Sequence, residues 1–526
     1  MLILSLIFYS DTGYKQAQRA SNGSRVLARL PESVFNGGLD EGMPALSIGF
    51  EVHQPYRLNR HFAQDPKVKK KDLVNLYFDE VNRELLLRIA EKCYIPATTM
   101  ILDMMDEGFS CAFSFSGTLL EQLEKWSPDA LTLFGQVATH RNAEILAQTY
   151  YHSIASCFHD KTEFADQVRM HATLMHELFH AEPTVFENTE FTFNNEIASH
   201  IRDMGFAGIF TEGVDRILGW RSPDYLYTCR DIPVLLRNTR LSDDIAFRFA
   251  NRSWDMYPLT ADTYARWVAQ SPGDVVNVFL DYETFGEHLW PETGIFEFLR
   301  HLPGELARQG VPTVLPSKVL AEYSPVGTIN VFETISWADI EKDTSAWMGN
   351  DRQRTAFQAI ETARTFAKDK QVWRYLQTSD HFYYMASKYG SCGEVHSYFC
   401  YLEGEDAFKT YMRILADYEE RNIRFMKNRK AARTLRSLSP ETAFHFNSPS
   451  GFIGYTAYSL DQFCELLPVV AKDSIQHHLE RGDFTRWIAD VLDDAMLAER
   501  IKDCTERQDL TNLVCEWREH LWSHLR

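Results

Sequence analysis

From residue 43 onward the chain alternates two hydrophobic patterns. Short apolar runs, MPALSIGFEV (43–52), CAFSFS (111–116), AEILAQ (143–148), PTVFENTE (183–190), AGIFTEG (207–213) and VVNVFLDYE (275–283), are strand-like, and most end on polar residues. Between them lie stretches with 3.6-residue periodicity, such as Leu73–Cys93, Thr162–His180 and Asn194–Met204, which predict helices. Strand–helix alternation predicts parallel strands with crossover helices. Polar clusters at strand C-termini place candidate chemistry on one open face of such a sheet or barrel.

From about 330 the pattern turns helical, with Arg352–Asp369, Gln371–Ser379 and Asp406–Arg429 as the predicted elements. The basic run KNRKAARTLR (427–436) reads as a solvated helix end and linker, and FHF and FIGYTA beyond it are strand-like. The domain reading is an N-terminal extension (1–42), a barrel (43–325), a helical domain that completes the site (326–436) and an accessory module (437–526). The first strand begins at Met43, which is a plausible true start, and residues 1–42 show weak periodicity.

Composition narrows the function classes. The 526 residues carry 54 Lys plus Arg against 73 Asp plus Glu, a formal charge of −19, which disfavours nucleic acid and anionic lipid but is indifferent to a neutral polymer. Aromatics make up 13%, compatible with stacking on sugar faces and equally with large aromatic cores. Nine scattered cysteines without a CxxC pair fit a reducing compartment, and no signal peptide is recognised, so a cytoplasmic location is expected.

Five clusters carry candidate chemistry. His53 lies in VHQP, where Pro55 ends the first strand; Glu144 and His152 lie in NAEILAQTYYHS; and Glu190 lies in FENTEF, beside Asn and Thr donors suited to an ionised carboxylate. Asp281 opens DYETFGEHLW, which ends at Trp290 and gathers acids, a His and aromatics too densely for packing alone. The fifth cluster spans DTSAWMGN, with Trp347, and TSDHFYY, with Asp380 and His381. These could be sugar platforms or ordinary packed helix ends.

These motifs, in this order over about residues 43–405, resemble glycoside hydrolase family 57 and are most similar to its α-amylase subgroup. The resemblance implies an incomplete (β/α)7 barrel, an α-glucan or maltooligosaccharide substrate and no cofactor or metal. It further implies Glu190 as nucleophile, Asp281 as general acid/base, and His53, Glu144, His152, Trp290, Trp347, Asp380 and His381 along the sugar subsites. A retaining enzyme would hold the two carboxyls ~5–5.5 Å apart. A 4-α-glucanotransferase would use the same chemistry with a sugar as acceptor, and a catalytically weak glucan-binding regulator is a further alternative.

His176-Glu177-Leu178-Phe179-His180 fits the HExxH zinc pattern, but it sits within a predicted amphipathic helix. A deacetylase would need an Asp/His/His set that the strand ends do not supply. The tail from Phe444 to Ile501 resembles a small accessory module of prokaryotic proteins, with RGDF read as a helix boundary.

Overall fold

A computed structural model describes residues 42–368, 370–387, 401–402 and 404–525; residues 1–41 of the expected extension, Cys392 and Cys400 lie outside them. The centre is built from β1 (Ala45–Val52), β2 (Cys111–Phe115), β3 (Ala143–Ile145), β4 (Val185–Phe186), β5 (Gly208–Glu212), β6 (Tyr227–Cys229), β7 (Ile232–Arg237) and β8 (Val275–Asp281). The order is β3-β2-β1-β8-β7-β5-β4, all parallel, with β6 antiparallel to β7. A single parallel bridge, Ala147 to Phe186, spans the seam between β3 and β4. The parallel strands are those that the alternating pattern predicts, and their closure is the incomplete barrel that the family resemblance implies. Sequence pattern alone did not single out β6 and β7, which are joined by a tight turn with Arg230 and Asp231 both at positive φ (51° and 66°).

Side-chain alternation sorts the strands into two faces. Along β1, Leu46, Ile48, Phe50 and Val52 enter the core beneath the outer helices. Ala45 joins Ala112, Leu146, Val185, Phe210, Leu235, Val275 and Phe279, contributed from around the ring, in the barrel interior. Gly49 lies on that interior face, where an added Cβ would sit 2.3 Å from the Phe279 ring. Gly49→Ala is therefore expected to destabilise the fold by about 1–3 kcal/mol through overpacking, read as a lowered urea midpoint at unchanged slope.

The helices track the sequence pattern with local corrections. Leu73–Cys93 is broken into Leu73–Tyr77 and Val81–Ile89, followed by a wide turn (Ala90–Tyr94) and the helix Ile95–Asp106. Thr162–Phe179 stops one residue short of His180, which caps it in left-handed geometry (φ 53°), and the ring centres of His176 and His180 in the HExxH string lie 6.3 Å apart. A second core joins the outer faces of β4, β5 and β7 to helices Asp351–Ala363 and Gly404–Ile423. The third, C-terminal core packs the hairpin β9 (Phe444–Ser448) and β10 (Gly451–Ala457) against helices out to Leu521 and reaches back to Ile423 and Phe366. RGDF is a helix boundary: Gly482, in left-handed geometry, separates Lys472–Arg481 from Asp483–Asp490. Among the described residues no helix is long and apolar enough to cross a membrane.

Candidate active site

Above the apolar layer the inward positions turn polar. The register sets Glu51 opposite both Ser114 of β2 and Asp281 of β8, and Glu212 opposite Arg237. Arg237, almost wholly buried, pairs with Glu212 (3.0 Å) and Asp243 (2.7 Å), and its Nε donates to the Phe279 carbonyl (2.7 Å). Its guanidinium also lies 5.6 Å from the Trp337 ring centre. Arg237→Met would strand the buried Glu212 carboxylate, so a loss of about 3–5 kcal/mol is expected in denaturant unfolding.

Glu190 leaves β4 on a short turn at φ 58°, ψ 22°, with Phe191 also left-handed. Asn188 pins this unusual backbone: its Nδ2 donates to the Thr192 carbonyl (2.7 Å) and to Ser156 Oγ (3.0 Å). Thr192 Oγ1 donates to the Thr189 carbonyl (2.8 Å). Strain held in place by its surroundings in this way commonly marks a functional position. Both Glu190 oxygens accept a hydrogen bond, Oε2 from the Trp337 indole (2.8 Å) and Oε1 from Ser379 Oγ (2.9 Å). Trp337 is itself fixed by stacking on Phe191, with ring centres 4.8 Å apart and planes at 8°.

His152 lies between two carboxylates, with Nδ1 2.9 Å from Glu51 Oε1 and Nε2 3.6 Å from Glu190 Oε1. Burial opposes a charge on this imidazole, but Glu51 and Glu190 outweigh burial and hold its pKa well above the ordinary histidine value. His53 stacks on His152 (4.0 Å between ring centres) and bonds Ser116 Oγ (2.7 Å) and Asp380 Oδ2 (3.1 Å). Burial, and then the charge on His152, push the His53 pKa down to about 4.

Asp281 ends β8, half-buried at the same mouth. Burial, followed by the negative charges of Glu283, Glu51 and Glu190, raises its pKa well above the carboxylate range. Glu187 is likewise raised, first by burial and then by Glu51, and accepts from Ser114 Oγ (3.0 Å). Burial lifts Glu283 to about 7; Gln54 of the HQP motif (3.4 Å) and the Tyr94 hydroxyl both donate to it. The mouth therefore combines a doubly hydrogen-bonded carboxylate with a recessed carboxyl whose pKa is raised, the pairing on which acid-assisted displacement depends.

Of the residues singled out from sequence, His53, His152, Glu190, Asp281 and Asp380 form this cluster. Glu144 accepts from the Ser317 backbone N–H (2.8 Å) at the first turn of helix Pro316–Glu322. Trp347 and His381 are each only 1% exposed, so neither presents a ring to solvent; His381 Nε2 bonds the Tyr375 carbonyl (3.1 Å). Trp290 is 57% exposed and lies under the Lys92 ammonium (5.3 Å). Glu51, Glu187, Trp337 and Ser379 were missed. Glu51 was within reach, since it sits two positions before His53 on the same strand face. Nothing local marks Trp337.

Comparison with known proteins bears on the same region. Residues 47–332 match the family model described as Glycosyl hydrolase family 57. A protein of Methanocaldococcus jannaschii named "Putative alpha-amylase" is 44% identical over 394 residues, which cover 71% of this chain and 84% of the relative. The chain belongs to glycosyl hydrolase family 57. As a family 57 member it is an α-amylase-like glycoside hydrolase. Its fold is shared with two crystal structures. One is the family 57 branching enzyme of Thermococcus kodakaraensis (TM-score 0.52, 12% identity, 73% of this chain and 91% of that one). The other is the corresponding branching enzyme of Pyrococcus horikoshii (TM-score 0.54, 13% identity, 72% and 89%). At such identities the likeness concerns architecture alone.

Proposed function

We propose that this family 57 enzyme hydrolyses α-1,4-glucosidic bonds in α-glucans with retention of anomeric configuration, as an α-amylase. Glu190 attacks the anomeric carbon while Asp281 delivers its proton to the departing glycosidic oxygen. A covalent glycosyl-enzyme forms; Asp281, now ionised, takes a proton from water, which displaces Glu190. The observation that carries this reading is the contrast between the two groups. Trp337 and Ser379 hold Glu190 by hydrogen bonds, whereas burial and neighbouring carboxylates raise the Asp281 pKa. Stacked His53 and His152 with Asp380 form a polar wall suited to sugar hydroxyls in the adjoining subsite. Seven cysteines are free among the described residues, in keeping with a cytoplasmic enzyme acting on an internal glucan store.

The test is incubation with maltoheptaose, products being resolved by length and by anomer. Shorter sugars released in the α-configuration support the reading. Longer products assign a 4-α-glucanotransferase instead, and initial β-products refute retention.

A further inference from the structure

Two segments leave the barrel mouth side by side. At the near end Trp337 N donates to the Glu190 carbonyl (3.2 Å); further out Phe193 and Ile335 exchange two hydrogen bonds (2.9 Å each), and Asn195 N donates to the Val331 carbonyl (2.8 Å). Side chains lock the pair, Asn194 Nδ2 to Thr334 Oγ1 (2.9 Å) and Val331 N to Asn195 Oδ1 (2.9 Å). One end of this ribbon presents the Glu190 carboxylate. The other end opens into a pocket of about 360 Å³ lined by Asn194, Asn195, Glu196, Ser199, Arg230 and Phe332.

The pocket has the chemistry of a neutral polyol site. Phe332 is 81% exposed and offers a flat apolar face. Around it stand the Arg230 guanidinium, the Ser199 hydroxyl and the Glu196 carboxylate, the last paired with Lys161 (3.3 Å), while the amides of Asn194 and Asn195 are engaged within the ribbon. Arg230 is held at the β6–β7 turn, where its carbonyl accepts from Arg202 Nη1 (2.8 Å). An anionic ligand would meet a chain of net charge −19. From Phe332 to Trp337 the chain spans at most about 16 Å, at roughly 3.3 Å per residue when extended, and less where Val331–Ile335 bulges against Phe193–Asn195, a reach of a few sugar rings at most.

We infer that this pocket is a second α-glucan site, which holds a distal stretch of a long chain while another stretch lies at Glu190. The inference rests on the proposed glucan substrate, and it makes the enzyme selective for polymer over short sugars.

The experiment compares wild type, Phe332→Ala and Arg230→Ala on amylose and on maltotriose, with native gel migration through immobilised amylose as a second readout independent of turnover. Phe332→Ala is expected to raise KM for amylose by about 2- to 10-fold, the range of one lost aromatic stack, with kcat and all maltotriose constants unchanged. Its retardation by amylose falls in the gel. Unchanged amylose KM and unchanged retardation in both variants overturn the site, as does an equal shift on both substrates. A wild type that cleaves neither substrate refutes the proposed hydrolysis; the gel then decides the pocket alone, with Phe332-dependent retardation supporting it and Phe332-independent retardation overturning it.

Discussion

Glu190→Gln is expected to lose about 10⁴-fold or more in kcat on maltoheptaose while keeping its fold. The amide occupies the same volume as the carboxyl, and its oxygen still accepts from the Trp337 indole or from Ser379 Oγ. The thermal midpoint should therefore stay within a few degrees of wild type, whereas an amide cannot attack the anomeric carbon to form the ester intermediate. Adding azide to the more open Glu190→Ala supplies an external nucleophile on the same face, and a β-glycosyl azide should accumulate. A variant that turned over maltoheptaose at near-wild-type rate would end the assignment of Glu190.

Asp281→Asn has the second largest expected effect, and its size depends on the leaving group. For maltoheptaose the departing alkoxide needs a proton, so kcat falls about 10²- to 10⁴-fold. For an aryl α-glucoside with an acidic phenol the formation of the intermediate needs little proton assistance, and the loss in kcat/KM should be much smaller. Equal losses on both substrates would sink the acid/base role. The pH profile gives an independent reading. Burial and nearby carboxylates raise the Asp281 pKa, so its proton is retained below that elevated value and lost as pH rises through it. The wild-type activity should fall on that alkaline limb, and the limb should vanish in Asp281→Asn.

Much of the barrel was legible because β1 and β8 are apolar runs whose inward positions change from Ala45, Val275 and Phe279 in the interior to Glu51 and Asp281 at the mouth. β4 was harder. It holds only two strand residues because the left-handed turn at Glu190 cuts it short, and no propensity announces a strained carboxylate. Trp347 and His381 were singled out as aromatic or polar members of recognisable motifs, yet helix packing turns both inward. Trp337 lay outside every motif, and its contact with Glu190 is made across 147 residues of chain. Such long-range partners are set by tertiary closure, which one-dimensional periodicity does not encode.

Both donors to the Glu190 carboxylate lie downstream of residue 325, where strand and helix alternation ends. The Ser379 side is anchored across the seam next to the single Ala147–Phe186 bridge: Ser379 N donates to the His152 carbonyl (2.9 Å) and Ile154 N to that of Gln377 (3.1 Å). A polypeptide cut at the barrel's end would thus retain every parallel strand together with Glu190 and Asp281, yet lose both donors that hold the Glu190 carboxylate. On the proposed mechanism the chemistry belongs to the joined chain, and transplanting the barrel alone into another scaffold is expected to carry the shape across without the activity.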